Sequence, residues 1–428
     1  MKLEENSRIE IIAVGDELLT PHYQDTNSLY ITQRLNDLGM EINFKSIVGD
    51  SRDDLADCIR SSLVRSDIIF LIGGLGPTED DRTREVVAST LGKKLMFKEQ
   101  ILNKIKQRFE RRGFEMPSVN NKQAYIIEGS SVLENKHGTA PGLWLEAGGK
   151  ILILLPGPPH EIKPMFENYV WPRFLEFQKQ FMRRRVLKIS GLTESKIDSL
   201  LFDIYPLQPL VKLTILAYPG QIELHLSSRS LESHKKADET LDDLEHTLQK
   251  LLGENIFSSS GEELEEVIGA LLRQAQKTLS IAESCTCGLL GHRITNVPGS
   301  SDYFQQGVLT YSNDSKVQLL GIPYDLILQH GAVSHEVAEA MAIGIRKRSG
   351  SDIGLSITGI AGPNGGSPEK PVGLVYVGLA WENELEVAKN IFLGNREVIK
   401  FQSSQKALDM LRRHLLKFQK NRLNNQTN

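Results

Sequence analysis

Short, unbroken apolar runs that stop at small polar residues recur along this chain, and they restrict its fold more than any other feature. Ile9 to Val14 stops at Gly15-Asp16-Glu17, residues 67–72 stop at Gly73-Gly74-Leu75-Gly76, and Ile151 to Leu155 stops at Pro156-Gly157-Pro158-Pro159. Runs without polar alternation belong to strands buried on both faces, the usual state in a parallel sheet. Helical patterns lie between them. Ile31, Leu35 and Leu38 share one face of the first, closed by Gly39, and Leu55, Ile59 and Leu63 share one face of the second. Strands alternating with helices predict a doubly wound α/β arrangement, whose ligand site lies at the carboxyl ends of the strands.

The same alternation returns from Glu262 to about Phe418. Leu264, Val267, Ile268, Leu271 and Leu272 form one helix face, and strands are predicted at Leu279 to Ala282, Ile353 to Ile357, Val372 to Leu379 and Ala388 to Leu393. Residues 171 to about 255 read differently. A strand at Val186 to Ser190, a helix over Glu194 to Asp203, a hairpin of Val211 to Leu216 with Ile222 to Leu226, and a helix over Ser233 to Leu252 make a small α+β module. The expected fold is therefore α/β, two α/β sandwich domains joined by a small α+β module, with residues 1–170, 171–260 and 261–428 as the three segments. Few polar side chains gather at strand ends in the middle module, so a spacing or dimerising role is expected of it, and with it a homodimer.

At 428 residues the chain exceeds one ordinary core, in keeping with several domains. Apolar residues make up 40% and charged residues 24%, and no apolar run approaches the roughly 20 residues of a membrane span. The first ten residues carry mixed charge and lack a secretory apolar stretch, so no membrane association is expected and the cytoplasm is the expected location. Three cysteines, Cys58, Cys285 and Cys287, cannot make a disulfide framework and lack the paired spacing of a zinc site. A formal charge of −4 argues against nucleic acid as a partner, and Arg183-Arg184-Arg185 reads as a solvated strand start.

The first polar constellation is Gly73-Gly74-Leu75-Gly76-Pro77-Thr78-Glu79-Asp80-Asp81, between a buried strand and a helical pattern. Such glycines let backbone N–H groups approach a phosphate, and adjacent carboxylates hold a divalent cation; a tight turn before a charged helix start has the same composition. Asp16-Glu17, Asp25-Thr26-Asn27, 138–142 and Pro156 to Glu161 stand at other strand ends and helix starts where they could join the same rim, and His160 after its proline turn reads as a surface residue. Taken together, residues 8 to 170 resemble the molybdopterin-binding fold at the amino terminus of the CinA family. The resemblance implies a nucleotide site with Asp16, Asn27, Gly74 and Gly76 as contacts. It also implies, as in some members, an ADP-ribose pyrophosphatase that would use Asp80, Asp81 and a divalent metal.

The second constellation begins where the strand at Leu279 to Ala282 meets Glu283-Ser284-Cys285-Thr286-Cys287-Gly288. A helix starting there would aim unpaired N–H groups and the positive end of its dipole at an anion or oxyanion. Ser284 and Cys285 both stand as possible nucleophiles. The base is less obvious. His292, His330, His335 and His414 read first as structure or surface, whereas Lys316 in Tyr311-Ser312-Asn313-Asp314-Ser315-Lys316 would serve if burial lowered its pKa from about 10.4. A glycine-rich stretch, Thr358-Gly359-Ile360-Ala361-Gly362-Pro363-Asn364-Gly365-Gly366, permits close backbone approach to a phosphate or ribose. Arg396 offers that phosphate a bidentate partner.

These strings, with Gly331-Ala332-Val333-Ser334 and Glu369-Lys370-Pro371-Val372-Gly373, resemble the carboxy-terminal, nicotinamide mononucleotide deamidase domain of the CinA family over residues 262 to 416. The resemblance implies a serine/lysine amidohydrolase that needs no cofactor and takes a small-molecule nucleotide. It assigns Ser284 as nucleophile, Lys316 as base and Tyr311 as a supporting hydroxyl, with Thr286, Thr358, Gly359, Gly362 and Arg396 as substrate contacts. One position departs from it. The family has glycine where this chain has Cys287, and a positive φ there would cost a cysteine on the order of 1 kcal/mol. Rival expectations are turnover of ADP-ribose by the amino-terminal half alone, or two pockets that only hold nucleotides.

Overall fold

The structure is a computed structural model and describes residues 7–176, 181–205, 207, 209–382 and 384–426, with side chains through Asn421. It divides into two compact units, one reaching Arg183 and including Arg229–Ala237, the other comprising Arg184–Ser228 and the chain from Asp238 onward.

The first unit is built on a six-stranded sheet in the order Ile42–Val48, Ile9–Val14, Ile68–Ile72, Lys150–Leu155, Gly142–Ala147, Ser131–Leu133. The first four strands run parallel and the last two fold back antiparallel. The predicted unbroken runs are its central strands. Their side chains alternate between two cores: Ile11, Phe70 and Ile153 pack with Ile31 and Leu35 on one face, while Ile12, Leu71 and Leu154 pack with Leu55 and Ile59 on the other. Asp25 and Ser51 cap the two helices by accepting from Ser28 N and Asp54 N.

A four-stranded sheet follows, ordered Val211–Tyr218, Gln221–Ser230, Phe181–Ile189 and Ile256–Ser258; its first two strands pair antiparallel, as do its last two, and Leu241, Leu248 and Leu252 of helix His234–Leu252 pack into its core. Arg185 in the third of these strands pairs with Asp242 and Glu245, a helix contact where a solvated strand start was expected.

A five-stranded sheet follows, ordered Phe304–Leu309, Leu279–Glu283, Ile353–Gly359, Leu374–Trp381, Glu384–Ile391. Its first three strands are parallel and the last two are an antiparallel hairpin, so the sheet is mixed. The chain leaves Leu279–Glu283 for one neighbour and later returns to the other side, which makes the end of that strand a topological switch point. Register aligns Glu283 with Leu309 on one side and Ile357 on the other. Ser284 and Thr310, each just past its strand, consequently stand beside Thr358, which is still paired with Tyr376.

Candidate active site

Ser284 is the first residue past its strand, and its N–H donates to Ile357 O at 2.9 Å, continuing the ladder by one step. On the other side Thr310 N donates to Glu283 O at 2.7 Å. The chain then turns into helix Asn313–Leu320, capped by the Ser312 hydroxyl, and its first turn carries Lys316 inward. Lys316 is 1% exposed. Its Nζ lies 3.2 Å from Ser284 Oγ and donates to Thr310 O at 2.7 Å and Tyr311 O at 3.4 Å. Burial lowers the lysine to about 8, with only the nearby Cys285 thiol acting the other way. Two carbonyls and one hydroxyl around an amine suit both of its protonation states. A neutral amine donates to the carbonyls and turns its lone pair to the serine; an ammonium donates to all three.

Cys285 is buried, and burial pushes its thiol up to about 12. A thiol in that state is a poor nucleophile at neutral pH.

The helix start differs from expectation. Helix Leu289–Thr295 begins only after a turn, and Glu283 occupies its amino end: one carboxylate oxygen accepts from Gly288 N (3.0 Å) and Leu290 N (3.1 Å), the other from Gly291 N (2.9 Å). The helix dipole therefore faces a carboxylate, not Ser284. Among the described residues, no acceptor lies in hydrogen-bonding geometry with the N–H groups of Cys285, Thr286 and Cys287. They are the donors available to an oxyanion. Cys287 is exposed and sits at φ 50, so the position does require the left-handed backbone that glycine favours. The Thr286 hydroxyl is buried without a hydrogen-bond partner.

Other expected contacts sort into two groups. Arg396 reaches the rim, donating to Gly362 O at 2.8 Å, with its other Nη 3.4 Å from the exposed Tyr311 hydroxyl. Tyr311 thus meets Lys316 through its carbonyl and Arg396 through its phenol, in place of a hydroxyl contact to the serine. Thr358 is buried and donates to Ala332 O at 2.7 Å, so its proton is committed to the 331–334 loop. A Cβ on Gly359 or Gly362 would collide with Val375 or Val372, so the protein's own packing already demands these glycines. Lys370, given no role of its own by the sequence, clamps the same loop by donating to His330 O at 2.6 Å and Val333 O at 2.8 Å.

The amino-terminal rim is arranged otherwise. Gly74 takes φ 66 beneath the Thr83 hydroxyl, and Gly76 lies directly under the Asp81 carboxylate. Asp81 accepts from Thr78 N at 2.9 Å and Thr78 Oγ1 at 2.5 Å. Asp16 and Asp50 each accept the other's backbone N–H, at 3.0 and 3.1 Å. Burial, then the charges of Asp16, Asp80 and Glu17, raise Asp50. Among the described residues no group of three or more His, Cys, Asp or Glu side chains is placed to hold a metal ion. Asp81 thus ties its own loop through Thr78. Asn27 donates to Gly157 O at 2.6 Å, while its Oδ1 is buried and unpartnered. His160 is exposed beside Glu161, as expected of a surface residue.

Comparison with known proteins agrees with this architecture. The family model described as the CinA C-terminal domain matches residues 261–415, that of a probable molybdopterin binding domain matches 10–176, and that of the damage-inducible protein CinA KH domain matches 184–258. A CinA-like protein of Solibacter usitatus is 46% identical over 407 residues, covering 95% of this chain and 98% of that protein. A CinA-like protein of Koribacter versatilis is 46% identical over 412 residues, with coverage of 95% and 99%. The crystal structure of competence/damage inducible protein CihA from Agrobacterium tumefaciens is 35% identical over 35% of this chain and 94% of that one, at a TM-score of 0.34. With relatives this similar over nearly its full length, the chain belongs to the CinA family.

Proposed function

We propose that the carboxy-terminal site hydrolyses the carboxamide of nicotinamide mononucleotide, with Ser284 as nucleophile and Lys316 as its base. The observation that carries this reading is the buried amine 3.2 Å from the serine hydroxyl, lowered to about 8. A lysine in that state has a substantial neutral fraction near physiological pH and can accept the hydroxyl proton.

Ser284 Oγ attacks the amide carbon as its proton passes to Lys316. The carbonyl π electrons move onto oxygen, which the N–H groups of the 285–287 turn stabilise. Collapse of the tetrahedral adduct breaks the C–N bond, and the Lys316 ammonium returns its proton to the departing nitrogen as ammonia. Water then attacks the acyl-serine, giving its proton to the same amine; loss of the serine oxygen, reprotonated by Lys316, leaves nicotinic acid mononucleotide. Arg396, at the exposed rim beside Tyr311, would pair with the substrate phosphate, a reading its reach to that rim supports. The test is ammonia release from nicotinamide mononucleotide. Wild-type release that vanishes in Ser284→Ala is expected; release that persists in Ser284→Ala would contradict the assignment.

The amino-terminal rim supports a second reading. The buried, unpartnered Asn27 Oδ1 beside Gly157 favours a polar ligand there, in keeping with a nucleotide. Isothermal titration with ADP-ribose tests it, binding lost in Asn27→Leu being the expected result.

A further inference from the structure

Glu283 is 1% exposed, has no cationic partner among the described residues, and spends its carboxylate on three backbone N–H groups. An ordinary helix cap comes from the residue just before the helix. Here that residue is Gly288, with φ 94 and no side chain to offer. The cap is supplied from across the turn, by the strand residue that immediately precedes the nucleophile. The chain from Ser284 to Gly288 is thereby held at both ends: Ser284 N on Ile357 O, and Gly288 N on the Glu283 carboxylate. Between the two anchors lie the three N–H groups without an acceptor. The backbone of the same residue also serves the base, since Glu283 O receives Thr310 N, whose own carbonyl receives Lys316 Nζ.

From this geometry we propose that Glu283 is the positioning residue of the site: its carboxylate fixes the 285–287 turn so that the backbone donors face the developing oxyanion. The inference rests on Ser284 being the nucleophile. A carboxylate suits the task because all three partners are donors. Glutamine keeps the shape but presents N–H to at least one of them, leaving that group unpaired in a buried place. Gly291 makes a gentler probe. A Cβ there would crowd Ile281 Cδ1 at 3.3 Å and meet Glu283 Oε1 in ordinary contact at 3.5 Å, so that Gly291, whose N–H is one of the three donors, must shift against the strand while the carboxylate is kept and alanine favours the helix.

The test uses the full chain in three forms, wild type, Glu283→Gln and Gly291→Ala, with two readouts. One is kcat and KM for ammonia release from nicotinamide mononucleotide. The other is the second-order rate at which a fluorophosphonate labels Ser284, which needs the oxyanion donors whatever the natural substrate is. For Glu283→Gln the expected result is a fall of about 100-fold in kcat and in labelling, with KM within about threefold, in protein still folded at the assay temperature. For Gly291→Ala a fall of about three- to tenfold is expected with no loss of melting temperature. Labelling within threefold of wild type in folded Glu283→Gln, or a loss that only tracks the folded fraction, overturns the proposal. If Glu283→Gln does not fold, unchanged labelling in Gly291→Ala overturns it. Wild-type Ser284 that resists the label altogether also overturns it. Labelled wild type that releases no ammonia overturns the deamidase reading instead, while the labelling rates still decide the role of Glu283.

Discussion

Two rims in this chain look alike on paper. Each follows a buried parallel strand, each is rich in glycine, and each carries hydroxyls and acids. They differ in where the reactive groups are held. At the carboxy-terminal rim a lysine is taken out of water with no acid beside it and set against a serine hydroxyl. At the amino-terminal rim the carboxylates are spent on backbone N–H groups, Asp81 on Thr78 of its own loop and Asp16 on Asp50 of the loop after the neighbouring strand. A side chain already engaged by its own backbone serves to shape a loop, whereas an uncompensated buried amine is a destabilising feature that a fold retains at functional sites.

The largest expected effect separates the rims outright. Ser284→Ala or Lys316→Ala lowers kcat for ammonia release by about 10⁴-fold or more, while Asp81→Ala leaves it within about twofold, as steady-state assays of the three variants will read. Loss in Asp81→Ala would break the comparison.

The second effect concerns stability and pH. The folded value of Lys316 lies below the unfolded value of about 10.4, so between the two the unfolded chain binds the extra proton and unfolding free energy rises with pH. Wild type should therefore gain up to about 3 kcal/mol on Lys316→Met as pH rises from 7 to above 10, measured by urea unfolding of both proteins. A pH-independent difference would mean that the amine is not desolvated. Next in size, Asp81→Ala should destabilise the first unit by about 1 kcal/mol through the lost Thr78 hydrogen bonds, seen as a lower melting temperature. An unchanged melting temperature would deny Asp81 its loop-tying role. The smallest effect is at Cys287. Glycine removes the strain of φ 50, so Cys287→Gly should raise stability by about 1 kcal/mol or less with kcat equal or higher.

Much of this was legible in the sequence because buried strands leave unbroken apolar runs. Ile9 to Val14 and Leu279 to Ala282 are found within a residue of their observed ends. The strand Phe304–Leu309 was not legible, because it is an edge strand whose burial alternates and whose sequence FQQGVL carries no apolar run. Both strands of the hairpin Leu374–Trp381 and Glu384–Ile391 were legible, the second only in its latter half because its first residues are polar and exposed, but their antiparallel order was not, since the doubly wound pattern suggested parallel order. The KH match of 184–258 was hidden because that stretch contains no G-x-x-G string by which such modules are known. Within the site, residue identities were readable but directions were not. Nothing in the spacing says that Glu283 would cap a helix beginning six residues on, or that Thr358 would spend its proton on Ala332. Both depend on strand register, which places Ser284, Thr310 and Thr358 together.

The central claim is that a neutral Lys316 activates Ser284. The pH dependence of kcat/KM for ammonia release from nicotinamide mononucleotide tests it most directly. With the amine at about 8, the rate should rise about tenfold per pH unit on the acid side and level off above that value. A profile flat from pH 6 to 9, or one that breaks near the ordinary histidine value of about 6.5, would contradict the account.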